Sequence, residues 1–468
     1  MKITLVMPGV GRKPGESYVK SWKMEPLGPA MLAAVTPPDV EVRFVDDRLE
    51  TIPYDDPTDA VGINVETYTA RRAYSIAAHF RARGVPVILG GYHPTLVPEE
   101  AATHADAIVE GQAELVWPQL VADLRVGRLQ ARYRGSNEIG LHGLHPRRDI
   151  FAGKTYLPVT LIETGRGCRA ACDFCSVSPF FGRTATARPI EDVVAEIEAA
   201  GNRSVFFVDD NIVADMDRAK RLFAALQASG IRWMSQGSIT MATDAKLLQL
   251  MRRSGCRGIL VGFESLSQET LSSMGKSWNR AGLEYDEAIR RIRDAGIAIY
   301  ATFVFGYDTD DADCFDRTTE FALRQKFFLA AFNHLVPFPG TPLYHRLKRD
   351  NRLLSDPWWL DPSYRFGDVA FQPARMSAEE LAERCYQARR TFYRFGSILA
   401  RACDVKGNCG NLRAAATYFW LNLFSGREMR KRQGLPLGTG LDGLDGGDGD
   451  GDRTSGLVLQ DRREEAAA

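Results

Sequence analysis

A chain of 468 residues exceeds one ordinary domain, so two or three domains with separate cores are expected. Its composition, 45% hydrophobic and 25% charged, is that of a globular protein. The balance of 59 Lys+Arg against 59 Asp+Glu excludes a global basic field aimed at nucleic acid or an anionic membrane.

The first residues, "KITLVMP", read as a first β-strand and lack the long core of a signal peptide. The runs "VEVRFVD", "AVGINV", "VPVILGG" and "ADAIVEG" come next, with helical patterns such as "ARRAYSIAAHFRARG" between some of them. Strand–helix alternation predicts a doubly wound, Rossmann-like parallel sheet over residues 1–140, with ligands beyond the carboxyl ends of its strands. Glu66, Thr67, Gly90 and Gly91 lie at such ends, and the two glycines also suit a simple turn. Gly9, Gly11 and Gly15 have the wrong spacing for a dinucleotide loop, and His93 reads as a loop histidine.

A second series spans 150–345. Its strands are "LPVTLIET", "SVFFVDD", "RWMSQGSI", "GILVGFES", "AIYATFVFG" and "LAAFNHLVPF", separated by helices that often end on glycine. Six β–α units predict an open, partial (β/α)6 barrel whose functional face lies where strands run into loops. Residues 346–434 are helical and aromatic and read as a cap on the barrel. There Trp358, Trp359, Tyr364 and Phe366 suit core packing or a large apolar substrate, and "AAATYFWLNLF", too short to span a membrane, reads as a buried helix in preference to one resting on a membrane or a lipid-like substrate. Residues 435–468 are low in complexity and predict a disordered tail, in which "DGDGDR" departs from a calcium loop at its sixth and twelfth positions. No run approaches 18 apolar residues, so no transmembrane segment is expected.

All eight cysteines fall after residue 167, too unevenly for a disulfide framework, which suits a cytoplasmic enzyme. Cys168, Cys172 and Cys175 crowd the loop after the first barrel strand. Three thiols are one short of a structural zinc set, and they suit a 4Fe-4S cluster with one iron left open. Cys256 and Cys314 read as packing residues, and Cys385, Cys403 and Cys409 match no cluster spacing.

The spacing Cys-x3-Cys-x2-Cys resembles the radical S-adenosylmethionine (SAM) superfamily, in particular the class with an N-terminal cobalamin-binding domain. "EPLGPAMLAA", "FVDDRLE", "GGYHPTLVPEEAATHADAIVEGQAE", "VFFVDDN", "GFESL" and "PFPGTPLY" carry the likeness over roughly residues 1–345. It implies that the open iron binds SAM and that reductive cleavage yields a 5′-deoxyadenosyl radical. Asp209, Asp210 and Asn211 stand where the family often has Gly-Gly-Glu, facing the methionine amino group. Glu264 and Ser265 would face the ribose or methionine end, and Gly306 the adenine. No Asp-x-His-x-x-Gly stretch is present, so cobalamin would lack a histidine ligand, with Glu66, Thr67, Gly90 and Gly91 as its contacts.

The activity so implied is cobalamin-dependent methylation of, or C–C bond chemistry on, an unactivated carbon. The alternatives are a radical enzyme without functional cobalamin and an iron–sulfur electron-transfer protein. A small-molecule substrate and a reductant such as flavodoxin or ferredoxin would be the partners, without nucleic acid. The likeness to tRNA methylthiotransferases fails, because residues 1–167 hold no second cysteine set. No individual catalytic side chain can be named from the sequence.

Overall fold

In a computed structural model, residues 1–136, 142–280 and 282–442 are described. Strands β1 (Lys2–Met7), β2 (Glu41–Asp46), β3 (Ala60–Asn64), β4 (Val87–Gly90), β5 (Ala107–Glu110) and β6 (Arg132–Arg134) form one parallel sheet ordered β2-β1-β3-β4-β5-β6. Its apolar runs are buried on both faces beneath α1 (Leu27–Val35), α2 (Ala70–Ala82), α3 (Tyr92–Leu96), α4 (Pro98–Thr103) and α5 (Trp117–Arg125). Strand order reverses between β1 and β3, so their carboxyl ends form the ligand crevice of this sheet.

The second sheet is opened by β7 (Thr160–Ile162). A small hairpin, β8 (Gly165–Arg166) with β9 (Thr186–Ala187), succeeds it and encloses α6 (Val177–Phe181). Then come β10 (Ser204–Phe207), β11 (Arg232–Gln236), β12 (Cys256–Glu264), β13 (Ala298–Phe305) and β14 (Leu329–His334). The order β14-β13-β12-β11-β10-β7 is parallel throughout and leaves β7 and β14 as edges, as an open (β/α)6 barrel requires. The connecting helices are α7 (Ile190–Ala200), α8 (Met216–Ala225), α9 (Ala245–Arg253), α10 (Gln268–Ser273), α11 (Tyr285–Asp294) and α12 (Cys314–Arg324), with α13 (Pro342–Arg349) beyond β14. Burial alternates along β13: Ile299, Ala301, Phe303 and Phe305 pack under the helices, leaving Tyr300 and Thr302 on the more open inner face.

Buried charge ties the Rossmann-like sheet to the segments around it. The Asp46 carboxylate at the end of β2 accepts from Arg48 Nε at 2.8 Å and from the Tyr156 hydroxyl at 2.8 Å. Arg48 also donates to the carbonyls of Trp22 and Met24, and Asp47 pairs with Arg72 at 2.8 Å. These pairs account for the acidic ending of "FVDDRLE", since a buried carboxylate needs a cation held in fixed geometry.

Three sequence expectations change. The segment around Trp358, Trp359 and Tyr364 does not cap the barrel; it packs into the core of the N-terminal sheet with Ile63, Tyr74 and Phe80. Within the expected cap, α14 (Ala378–Phe392) joins the barrel core through Leu381, Cys385 and Phe392, ahead of α15 (Phe395–Ala402) and α16 (Leu412–Arg432). Helix α16 is not a buried helix, for only one strip of it, including Tyr418, Asn422 and Met429, faces inward.

The expected tail also starts too early. Strand β15 (Arg365–Phe366) pairs antiparallel with β16 (Leu435–Pro436), and Leu435, Leu437 and Leu441 are buried. Gly438 donates to the Val10 carbonyl at 2.7 Å, and Arg12 donates to that of Thr439 at 2.9 Å, so residues 435–442 cover the loop after β1. Residues 443–468, including "DGDGDR", lie outside the described residues. No helix among the described residues is long and apolar enough to cross a membrane.

Candidate active site

The cysteine loop leaves β7 at the carboxyl end of the sheet. Gly167 starts it at φ 82°, where a Cβ would stand 2.3 Å from the Thr184 carbonyl oxygen, so only glycine fits the turn. Cys172 is buried, Cys168 and Cys175 half-buried, and none is in a disulfide. Burial pushes the Cys172 thiol up to about 11, with the other two thiols adding to the rise and the Lys276 ammonium opposing it. Burial also raises Cys175, while backbone N–H groups of Val177 and Ser178, at the start of α6, favour its thiolate. Each thiolate would disfavour the next, a repulsion that bound iron relieves. Among the described residues no group of three or more His, Cys, Asp or Glu converges as a single-ion site would.

Neighbouring strand ends hold the loop in place. Asp173 accepts from the Tyr307 hydroxyl at 2.5 Å and from Arg346 at 2.9 Å, and its carbonyl accepts from the Leu343 N–H. Gly167 N–H donates to Asp210 at 2.9 Å. Glu264 ends β12 at φ 61°, a conformation that disfavours a side chain, and pairs with Lys276 at 2.6 Å. Lys276, Asp173, Tyr307 and Arg346 carry no sequence signal of their role, because only the assembled sheet brings them to the cysteines.

The other expected SAM contacts divide by their partners. Asp209 is buried, and its two oxygens accept from the Thr164 N–H at 2.8 Å and hydroxyl at 2.5 Å. Asn211 Oδ1 accepts from the Ser238 N–H at 3.1 Å, so both side chains brace the scaffold. Asp210 alone of the three faces the cysteine loop. The Ser265 hydroxyl accepts from the Ser267 N–H, and Gly306 lies against Leu381, where a Cβ would stand 2.7 Å from a methyl carbon.

Burial raises the Asp209 pKa from 3.8 to about 7. Its folded-state value lies above the unfolded one, so the folded protein holds an extra proton between those limits and stability falls as pH rises through them. Asp209→Asn, whose amide can still accept from the Thr164 N–H, should flatten that fall. Denaturant midpoints measured across the window check this.

In the N-terminal domain, Glu66 lies two residues beyond β3 at the crevice. Its side chain is exposed, and desolvation by the surrounding protein raises its carboxyl pKa while the Arg48 guanidinium opposes the rise. Thr67 is buried with its hydroxyl 3.4 Å from His93 Nδ1. His93 is not a loop residue. It sits fully buried on α3, its Nε2 3.0 Å from Glu100 and 3.1 Å from the Tyr74 hydroxyl, while Glu100 also accepts from Trp359. That network commits His93 to structure. A Cβ on Gly90 would meet the Val109 side chain at 3.7 Å, an ordinary contact distance. Gly91 has φ 109°, and a Cβ would stand 2.8 Å from Asn64 Oδ1 and 2.9 Å from the Val65 carbonyl oxygen. Gly91→Ala should therefore destabilise the domain by about 1–3 kcal/mol, read from its denaturant midpoint.

The carboxyl ends of the two sheets meet at Tyr92. Its ring stacks on Phe180 of α6 with centroids 4.3 Å apart. Burial raises its hydroxyl, and the nearby carboxylates of Asp210, Glu66 and Glu163 and the Cys175 thiol raise it further. Arg166 crosses the same junction, pairing with Glu114 at 2.6 Å and Glu163 at 2.8 Å.

A parallel, open β/α sheet with three thiols on the loop after its first strand defines an iron–sulfur radical SAM enzyme. The Radical SAM superfamily model matches residues 162–322. Bacteriochlorophyllide d C-12(1)-methyltransferase of Chlorobaculum tepidum is 31% identical over 389 residues, covering 80% of this chain and 84% of that protein. Bacteriochlorophyllide d C-8(2)-methyltransferase of the same organism is 29% identical over 70% of this chain and 77% of its own. The cobalamin-dependent SAM radical enzyme OxsB, solved with aqua-cobalamin and SAM, superposes with a TM-score of 0.64 at 14% identity, covering 92% of this chain and 72% of its own. The chain belongs to the radical SAM superfamily, in the class with an N-terminal cobalamin-binding-like Rossmann domain. It is accordingly an enzyme whose cofactors include a 4Fe-4S cluster and SAM.

Proposed function

We propose that the protein is a cobalamin-dependent radical SAM methyltransferase acting on an unactivated carbon of a large biosynthetic intermediate, a ring system of the bacteriochlorophyllide kind. The observation that carries this reading is the Tyr92 junction, where one hydroxyl stands close enough to Glu66, Asp210 and Cys175 to feel the charge of all three. Cys168, Cys172 and Cys175 would hold the cluster, Asp210 and Glu264 would face SAM, and Glu66 and Tyr92 would face cobalamin. When bound, the cluster supplies the electron that divides SAM, and cobalamin supplies a carrier for its methyl group.

This chain's own residues position and shield. Asp173, clasped by Tyr307 and Arg346, keeps the loop against β13 and α13. The Lys276 ammonium offsets the negative charge that gathers on the thiolates. Phe180 and Tyr92, stacked on one another, would shield one side of the site from water. Tyr300 and Thr302, on the inner face of β13, would line the substrate chamber. A small electron carrier of the flavodoxin or ferredoxin type, in the cytoplasm, would serve as reductant.

The test is cobalamin retention. Protein purified without oxygen and reconstituted with iron and sulfide is incubated with hydroxocobalamin and desalted. A stoichiometric cobalamin spectrum that Glu66→Arg abolishes is expected. Loss of cobalamin on desalting the unaltered protein would remove the methyl carrier and defeat the methylation reading.

A further inference from the structure

The surface made by α15 and α16 is unlike the rest of the molecule. Ten large hydrophobic side chains are exposed among the described residues, and six of them fall between residues 395 and 423. Along α16, Leu412, Trp420 and Leu423 are 90%, 49% and 53% exposed. They repeat at helical spacing on the face opposite the buried Tyr418 and Asn422, and Arg427 continues that face one turn on. Trp420 stacks on Phe424 with centroids 5.0 Å apart. Helix α15 adds Phe395 and Leu399, and the Tyr418 hydroxyl, bonded at 2.8 Å to the Ile398 carbonyl, locks the two helices together. Monomeric proteins seldom expose contiguous apolar surface of this kind without a partner for it.

The charge on this platform is one-sided, in contrast to the whole chain. Residues 394–434 hold eight Lys or Arg against two carboxylates. Asp404 is already paired with Arg293, and Glu428 is buried, accepting from the Ser21 N–H and hydroxyl. Two cavities flank the apolar strip on its cationic side. One of about 430 Å³ is lined by Arg390, Arg394, Phe395 and Arg430. The other, of about 370 Å³, is lined by Arg427, Arg430 and Lys431, with Glu16 and Ser17 at its far wall.

We propose that α15 and α16 dock the enzyme peripherally onto an anionic phospholipid bilayer. Leu412, Trp420, Leu423, Phe395 and Leu399 enter the boundary between headgroups and acyl chains, while Arg394, Arg427, Arg430 and Lys431 meet lipid phosphates. A bilayer offers both things this face lacks: an apolar layer and, beside it, a sheet of negative charge. Trp420 is the residue type that favours that boundary. A second copy of this face offers only the first, since a two-fold contact would set its own cations against themselves. The docking is peripheral, because α16 is not apolar enough to span.

The full-length protein is sedimented with sucrose-loaded vesicles of phosphatidylcholine alone or mixed with phosphatidylglycerol. At least about tenfold more protein should bind the mixed vesicles, and about 1 M salt should release most of it by screening. Trp420→Ser combined with Leu423→Ser, both exposed positions, should cut binding to the mixed vesicles at least about tenfold with an unchanged far-ultraviolet dichroism spectrum. Arg427→Glu with Lys431→Glu should abolish the preference for phosphatidylglycerol. Equal or negligible binding to the two vesicle types overturns the proposal. So does a concentration-dependent dimer that the Trp420 and Leu423 substitutions dissociate, for the face would then bind a second copy.

Discussion

Replacing Cys172 with alanine should leave the protein folded but unable to hold its cluster. The side chain is buried at the centre of the cysteine loop, and alanine removes one sulfur atom without adding bulk. Two remaining thiols cannot substitute for three, and Cys256 and Cys385 sit in the barrel core, out of reach of the loop. Iron and sulfide per chain should fall to background after anaerobic reconstitution, and the broad iron–sulfur absorption should vanish. Cleavage of SAM should drop by about a thousandfold or more, since no other group in the site can deliver an electron. Cys385→Ala should change none of these readouts, which separates loss of the cluster from loss of any buried cysteine.

The second large effect concerns stability. Arg401 on α15 is buried and, among the described residues, pairs with no carboxylate. Its guanidinium instead donates to the Phe327 carbonyl at 2.9 Å, the Phe392 carbonyl at 3.0 Å and Asn422 Oδ1 at 2.9 Å, and it lies 3.7 Å above the Phe392 ring. Four segments converge on one side chain: the turn before β14, the end of α14, α15 itself and α16. Arg401→Met preserves much of the volume but strips those acceptors of their donor. Leaving buried carbonyls unpaired and losing a desolvated cation–π contact should cost about 3–5 kcal/mol. The denaturant midpoint should fall accordingly, with the C-terminal helices lost first in hydrogen exchange.

Strands are legible in the sequence where a short stretch bearing apolar residues stands between helical patterns or turn residues. All six barrel strands and five of the six Rossmann strands meet that description. Strand β6, "RYR", does not: it has one buried residue between two arginines and is recognisable only by its neighbour β5. The segment from Leu435 is obscured because glycine and aspartate dominate residues 438–452. Its own leucines at 435, 437 and 441 carry a signal of burial that composition over the longer stretch hides. Trp358 and Trp359 are legible as core residues, but the choice between two cores is made by tertiary packing alone.

The site divides in the same way. Three cysteines announce their chemistry locally because here all three stand on one loop, within eight positions of one another. Lys276, Asp173 and Tyr92 act through partners more than ten positions distant, and no spacing rule reaches that far. Asp209 and Asp210 are adjacent in sequence yet take different partners, one the buried Thr164 and the other the Gly167 N–H that starts the cysteine loop, a division no local pattern announces.

The most direct test of the central claim is a single chromatographic measurement on the unaltered protein. Purified without oxygen and loaded with iron and sulfide, it is incubated with SAM and a strong reductant, and 5′-deoxyadenosine is quantified. Formation of 5′-deoxyadenosine and methionine, dependent on the reductant and absent in Cys172→Ala, is the expected result. A protein that carries a full cluster, is reduced, and returns its SAM intact would contradict the account.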